Sequence, residues 1–112
     1  MMDIQHRSIQ ARGIRFAVEQ GGKEVAHAYL YFMHNDLHET PFGLMEDVFV
    51  EEALRGQGVG TILVDQVIEA AKAEGCYKLI ATSRASRPKV HDLYQRLGFE
   101  QYGIEFRMNL QG

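Results

Sequence analysis

A chain of 112 residues, 46% apolar and 24% charged, has the composition of one ordinary globular domain and can bury roughly two-thirds of its unfolded surface in a single core. Its net charge of -3 excludes the basic stripe a nucleic-acid surface needs, and no apolar run reaches the ~20 residues that cross a bilayer, so neither partner is expected. The single cysteine, Cys76, excludes an internal disulfide, and with no signal-peptide pattern at the N-terminus a reducing, cytoplasmic setting is expected.

Residues 1–12 are weakly patterned and read as an extended arm or a poor edge strand. From Ile14 the apolar residues Ile14, Phe16 and Val18 recur with period two, and Gly21-Gly22 supplies the positive-φ positions of a hairpin turn. Val25 to Met33 is the returning strand, its tyrosines suited to a sheet surface. After a polar loop from His34 to Pro41, Phe42 to Val50 reads as a third strand, with Leu44, Glu46, Val48 and Val50 on one face by strict alternation. The doubled apolar stripe Leu63, Val67, Ala70 and Val64, Ile68, Ala71 predicts a helix over Ile62 to Glu74, stopped by Gly75. Tyr77 to Ala81 is a short buried strand, parallel to the third because a helix intervenes. Pro88 opens a second helix carrying Val90, Leu93, Tyr94 and Leu97 at helical spacing, and Gly98 closes it. Phe99 to Tyr102 and Ile104 to Leu110 read as two last strands joined at Gly103, giving the order β-β-β-α-β-α-β-β. The expected fold is a single α/β (α+β) domain over residues 1–112, with a mixed, mostly antiparallel sheet and two covering helices.

Between the third strand and the first helix lies Arg55-Gly56-Gln57-Gly58-Val59-Gly60-Thr61. A helix start leaves N–H groups without internal acceptors and carries the positive end of the macrodipole, so a glycine-rich start is an anion cradle. A nucleotide-hydrolysing phosphate loop needs lysine after its last glycine, and Thr61 stands there instead. A dinucleotide fingerprint needs G-x-G-x-x-G, and neither Gly56 nor Gly58 begins one, because Thr61 and Leu63 occupy the third glycine position.

The remaining pattern, Arg55 with Gly58 and Gly60, resembles the pyrophosphate loop of the GCN5-related N-acetyltransferase (GNAT) family. Leu44-Met45-Glu46-Asp47-Val48-Phe49-Val50 is similar to that family's preceding strand, and Asp92 to Phe99 to its "LYxxxGF" helix end. The resemblance implies that Arg55, Gly56, Gln57, Gly58, Val59, Gly60 and Thr61 hold the pyrophosphate of acetyl-coenzyme A (acetyl-CoA). It implies a pantetheine arm in a splayed gap between the third and fourth strands, reaching the backbone at Phe49 and Val50. It further implies a bulge aiming a strand amide at the thioester oxygen, Glu46 as base, Tyr94 as acid, and no metal. The acceptor it implies is a small primary amine, weakly polyamine-like because the strand of diamine acetyltransferases, Leu-Glu-Asp, is similar to Leu44-Met45-Glu46-Asp47 here. Members carry a strand and two helices ahead of the sheet that wall the acceptor site. With only about a dozen residues ahead of Ile14, the acceptor pocket is expected either to be open or to be completed by a second subunit, as a homodimer. Arg87 stands where many members have asparagine, which points instead to a phosphate or an acidic acceptor.

The chemistry needs such groups. An alkylamine with pKa near ~10.4 is neutral in about one molecule in 2,500 at pH 7, so attack requires a proton acceptor. Proton delivery from a tyrosine to a thiolate is uphill by roughly 2 kcal/mol, which makes Tyr94 an assistant to the reaction. Each of these residues also has a plain structural reading: Glu46 as a strand-face carboxylate, Tyr94 as helix packing, Cys76 as a filler, and His34, Asp36 and His38 as loop polarity. The alternative to an enzyme is a non-catalytic acyl-CoA-binding or partner-regulating module.

Overall fold

The alternation at Ile14, Phe16 and Val18 forms strand β1 (Arg12–Gln20) in the computed structural model, which describes residues 2–112. Gly21 and Gly22, at φ 61° and 79°, turn the chain into β2 (Lys23–Met33), antiparallel to β1. An L-residue with a side chain resists that left-handed region, so the turn depends on both glycines. β3 (Phe42–Val50) pairs antiparallel to β2, and β4 (Leu79–Ala81) pairs parallel to β3, giving the sheet order β1-β2-β3-β4. Helix α1 (Val59–Ala73) covers one face, burying Leu63, Val64, Val67 and Ala71 against Ala26, Ala28, Leu30, Phe32 and Met45. Helix α2 (Pro88–Arg96) leans Tyr94 and Leu97 against the edge of this core. The mixed sheet, its parallel pair and both helices are those expected. Among the described residues no helix is long and apolar enough to cross a membrane.

Three local expectations need correction. α1 begins at Val59 rather than Ile62, because Gly58, at φ 84°, turns the chain directly into the first helical turn and its carbonyl accepts from Ile62 N–H at 3.1 Å. β3 does not keep one alternation. Its pairing steps from Tyr29↔Glu46 to His27↔Phe49, so β3 holds one residue more than β2 and bulges at Asp47, which has φ 49°. The side-chain period is two, and one extra residue flips the faces. Met45 opposes Leu30 and Val50 opposes Ala26, so both point into the core, and Val48 packs there too, away from Leu44 and Glu46.

The third correction concerns the C-terminus. Residues after α2 form no strand, and 100–112 are all exposed. An alternating segment has no stability of its own without a neighbouring strand to complete its hydrogen bonds, and none lies beside it here. β4 is consequently an edge strand.

The sheet face opposite α1 is open and aromatic. Tyr29 stacks on Tyr31 with centroids 6.1 Å apart, and His27 stacks on Phe49 at 5.3 Å. Arg15 grips both oxygens of Glu24 at 2.7 and 2.8 Å and donates to the Tyr29 hydroxyl at 3.0 Å. These hydrogen bonds hold the Glu24 carboxyl down to about 2.

Candidate active site

Four elements meet where β3 ends. After Val50 the chain makes a short 3-10 turn, Glu52–Leu54, and then the glycine loop. Arg55 folds back so that its Nε donates to the Val50 carbonyl at 3.0 Å, tying the loop to the strand. Gln57 is used similarly, its side-chain amide donating to the Ala53 carbonyl at 3.2 Å. Gly56 and Gly58 both have positive φ, 82° and 84°, and a Cβ built on either would meet nothing within 4 Å. The glycines are there for backbone conformation, and the space before them is open. Gly60 differs. It lies inside α1, and a Cβ there would point at Leu93 Cδ2 (3.6 Å) and Val50 Cγ2 (3.7 Å), inward to α2 and β3.

The first helical bond is made by Ile62, so the N–H groups of Val59, Gly60 and Thr61 precede it and have no acceptor within the helix. They stand at the positive end of a 15-residue helix with no acidic residue in its first turn. An anionic group such as a pyrophosphate fits this cradle in charge, in donors and in open space.

Beside the cradle the parallel strands part. β3 and β4 pair only at Gly43↔Leu79, Leu44↔Ile80 and Met45↔Ala81, so from Glu46 to Val50 the outer edge of β3 has no strand. The bulge at Asp47 lies in this unpaired stretch. Peptide groups there are free to meet something other than a strand. Phe49 turns its ring to the open face while Val50 turns its side chain to the core, so only their backbone borders the gap.

Glu46 lies at the point of divergence, paired across the sheet with Tyr29. Burial raises its pKa above the ordinary carboxylate value, and the charges of Asp47 and Glu105 raise it further. Tyr94, on α2, is partly buried with its ring 5.3 Å from Phe99. Its pKa is raised as well, by burial first and then by the charge of Glu46. The charge of Glu46 reaches Tyr94, so β3 and α2 hold the two predicted residues within electrostatic range of each other. Both shifts favour the protonated form, a carboxylate that more readily takes a proton and a phenol that keeps its own.

The other candidates are occupied elsewhere. His34 Nε2 lies 2.9 Å from the His38 carbonyl, Asp36 pairs with Arg7 at 3.0 Å, and His38 stacks on Tyr77 at 4.2 Å. Among the described residues no group of three or more His, Cys, Asp or Glu is placed to hold a metal. Cys76 is partly buried against the core, and burial raises its thiol pKa. Arg87 is the residue before α2, its carbonyl accepting from Val90 and His91 N–H at 3.1 and 3.3 Å.

Sequence reasoning missed the surroundings of Glu46. Tyr29 and His27, with Arg15 and Glu24 behind them, border it on the open face, yet their pattern reads only as sheet surface. A signal for the bulge was present in Asp47, since aspartate is among the few non-glycine residues enriched at positive φ.

Comparison with known proteins agrees with this geometry. The profile of the acetyltransferase (GNAT) family matches residues 2–99. A probable glucosamine 6-phosphate N-acetyltransferase 2 of Oryza sativa subsp. japonica is 38% identical over 63 residues, 56% of this chain and 36% of that protein. An aminoglycoside N(6')-acetyltransferase type 1 of Stenotrophomonas maltophilia is 30% identical over 95 residues, 80% of this chain and 62% of that protein. The chain thus spans between about a third and three-fifths of these curated relatives. Among solved structures, a putative acetyltransferase from Agrobacterium tumefaciens str. C58 superposes with a TM-score of 0.80 at 33% identity, covering 87% of this chain and 68% of that one. With a family profile running from residue 2 to Phe99 through the cradle, the bulged strand and the Tyr94 helix, the chain belongs to the acetyltransferase (GNAT) family.

Proposed function

We propose that the chain is an acetyl-CoA-dependent N-acetyltransferase acting on a small primary amine, working as a homodimer in the cytoplasm. The observation that carries this reading is the gap where β3 and β4 part at Glu46, next to a helix start whose first N–H groups have no acceptor within the helix. Acetyl-CoA supplies the activated acetyl group. The loop amides from Gly56 to Thr61 hold its pyrophosphate, and the Phe49–Val50 backbone borders its pantetheine.

Glu46 takes a proton from the acceptor ammonium, directly or through water, freeing the nitrogen lone pair. A C–N bond then forms at the thioester carbon while a β3 amide near the Asp47 bulge donates to the developing oxyanion. Losing one such donor typically adds ~3–4 kcal/mol to a barrier. As the C–S bond breaks, Tyr94 passes its phenolic proton to the sulfur, and the newly bonded nitrogen gives up its second proton, through water, to the Tyr94 phenolate; this leaves free thiol, a neutral amide and the proton on Glu46, which is released to solvent. A raised Glu46 pKa suits a base that must hold its proton through the step, and a raised Tyr94 pKa keeps the acid loaded at neutral pH.

The relatives named above suggest amino sugars as the first acceptors to try, ahead of the polyamines to which the Glu46-Asp47 pair of β3 points. The test has two arms. Calorimetric titration should give acetyl-CoA binding tighter than millimolar, and a thiol-release screen over amino sugars, polyamines, amino acids and peptide N-termini should find turnover. Weaker binding would remove the coenzyme assignment. Binding without thiol release for any acceptor would favour the non-catalytic acyl-CoA-binding module.

A further inference from the structure

On the open face of the sheet a row of apolar side chains leads away from Glu46. Tyr29 stands opposite Glu46, Tyr31 opposite Leu44 and Met33 opposite Phe42, each pair one side-chain row further along the same face. At roughly 3.4 Å per residue, Leu44 lies about 7 Å from Glu46 and Phe42 about 14 Å. The Tyr29 and Tyr31 rings are within 8° of parallel, and Arg15 fixes the Tyr29 hydroxyl at 3.0 Å, so the aromatic side of this row is held in place. The row ends in a cavity of about 300 Å³, the lower end of the size range of small-molecule sites. Met33, Phe42 and Leu44 form its sheet side, and Ile9 and Ala11, from the segment ahead of β1, form the other.

Charge decides what this cavity can hold. Its remaining wall residues are Gln10, His34 and Asn35, so no Asp, Glu, Lys or Arg lines it. His34 Nε2 already lies 2.9 Å from the His38 carbonyl, and the Asn35 side-chain oxygen accepts from Leu37 N–H at 2.9 Å. Asp36, next in the loop, is engaged by Arg7 at 3.0 Å. The second ammonium of a polyamine would enter without a carboxylate to meet it, and the phosphate of a sugar phosphate without a cation; either charge would be desolvated unpaired. An uncharged apolar group meets no such penalty and gains by leaving water.

We infer that this cavity seats the tail of the acetyl acceptor, and that the acceptor is a primary monoamine whose uncharged apolar tail reaches about 7 to 14 Å from the nitrogen. The inference rests on the enzymatic reading above, in which Glu46 takes the proton of the amine. It names an acceptor class different from the amino sugars that the relatives suggest. The nitrogen lies at Glu46, the tail passes along Tyr29, Tyr31 and Leu44, and its end lies among Met33, Phe42 and Ile9.

Two measurements on the full chain test it. The first is kcat/KM by thiol release for unbranched amines from butylamine to octylamine, beside spermidine and glucosamine 6-phosphate. Complete burial of a methylene is equivalent to about fourfold, and a cavity whose Ile9 is 69% exposed should return roughly twofold for each one added. The second is methyl NMR, in which octylamine should shift the signals of Ile9, Met33 and Leu44 and spermidine should not. Met33→Glu puts a carboxylate in the wall and should lower the octylamine-to-spermidine ratio of kcat/KM by about tenfold or more. Ile9→Asp, on an exposed segment, should flatten the length series with acetyl-CoA affinity retained. A flat series in the wild type, or spermidine or the sugar phosphate as the better acceptor, overturns the inference. Methyl shifts without thiol release from any amine would support the apolar site and remove the enzymatic reading. Thiol release without methyl shifts would keep the enzyme and overturn the tail site.

Discussion

Gly58 and Gly60 stand two residues apart in one motif, yet their backbones ask for different things. Gly58 sits at φ 84° with open space around it, so alanine there forces a left-handed conformation costing roughly 1–2 kcal/mol and tilts the free N–H groups that follow. Gly60 is helical, and its Cβ would make only ordinary contacts with Leu93 and Val50. Gly58→Ala should therefore lower both the melting temperature and coenzyme affinity, while Gly60→Ala should leave affinity within about twofold and stability equal or up to ~1 kcal/mol higher. Calorimetry and thermal melts on the pair decide this, and equal losses in both would mean that the cradle depends on small size rather than on backbone conformation.

Glu46 makes a second residue-level prediction. Its folded pKa lies above the ordinary carboxylate value, so the folded state favours the protonated form. The associated stability is fully present below the unfolded pKa and is lost as pH rises through the folded one. Glu46→Gln should then melt higher than wild type at pH 7, with the difference shrinking toward pH 4. The same variant should lose turnover at every pH while binding acetyl-CoA nearly as wild type does. Tyr94→Phe should lower turnover by a smaller factor, about tenfold to a hundredfold, because the proton it gives is one a solvent path can also supply. A variant pair with wild-type turnover would leave both residues with structural roles alone.

At the scale of elements, the parts legible in the sequence are those whose signal is local. Gly21-Gly22 announces the hairpin, the doubled apolar stripe announces α1, and Pro88 with Gly98 brackets α2. What escaped is set by partners distant in sequence. The bulge at Asp47 appears only when β3 is laid against β2, and it reverses the face on which Val48 and Val50 fall. Tyr102 to Leu110 carry a strand's alternation without a strand beside them, so pattern alone overstates their order. The site follows the same division: its cradle is a contiguous motif and was read directly, whereas the open-face neighbours of Glu46 come from β1 and β2. One of those neighbours gives an element-level prediction. Glu24 is held at about 2 by Arg15, so the stability it contributes to the β1–β2 hairpin is present above the usual carboxylate pKa and is lost as pH falls toward 2. Arg15→Met should return the Glu24 carboxyl toward its ordinary value in an NMR titration; a carboxyl still near 2 would show that another group holds it down.

For the whole molecule, the elements that meet at the proposed coenzyme site share few other ties. β4 bonds to β3 through only three residue pairs, and α2 buries none of its residues completely. Arg55 ties the end of β3 to the glycine loop, and the partly buried Val50, Val59, Tyr94 and Leu97 pack the end of β3, the start of α1 and α2 onto the core. A ligand spanning the cradle and the gap bridges these same elements and binds only when they are assembled, so it stabilises the fold by mass action. At a hundredfold excess over its dissociation constant acetyl-CoA should add ~2.7 kcal/mol, a rise in melting temperature on the order of 10 °C for a domain of this size. Hydrogen exchange should slow most at α2 and at residues 79–81, the parts least buried without ligand, and least in β2, which is already in the core. Gly58→Ala should remove most of the rise, and Tyr94→Phe should keep it, because only the first alters the groups proposed to hold the pyrophosphate. A rise retained in Gly58→Ala, or protection confined to the aromatic face of β1 and β2, would move the coenzyme site away from the glycine loop.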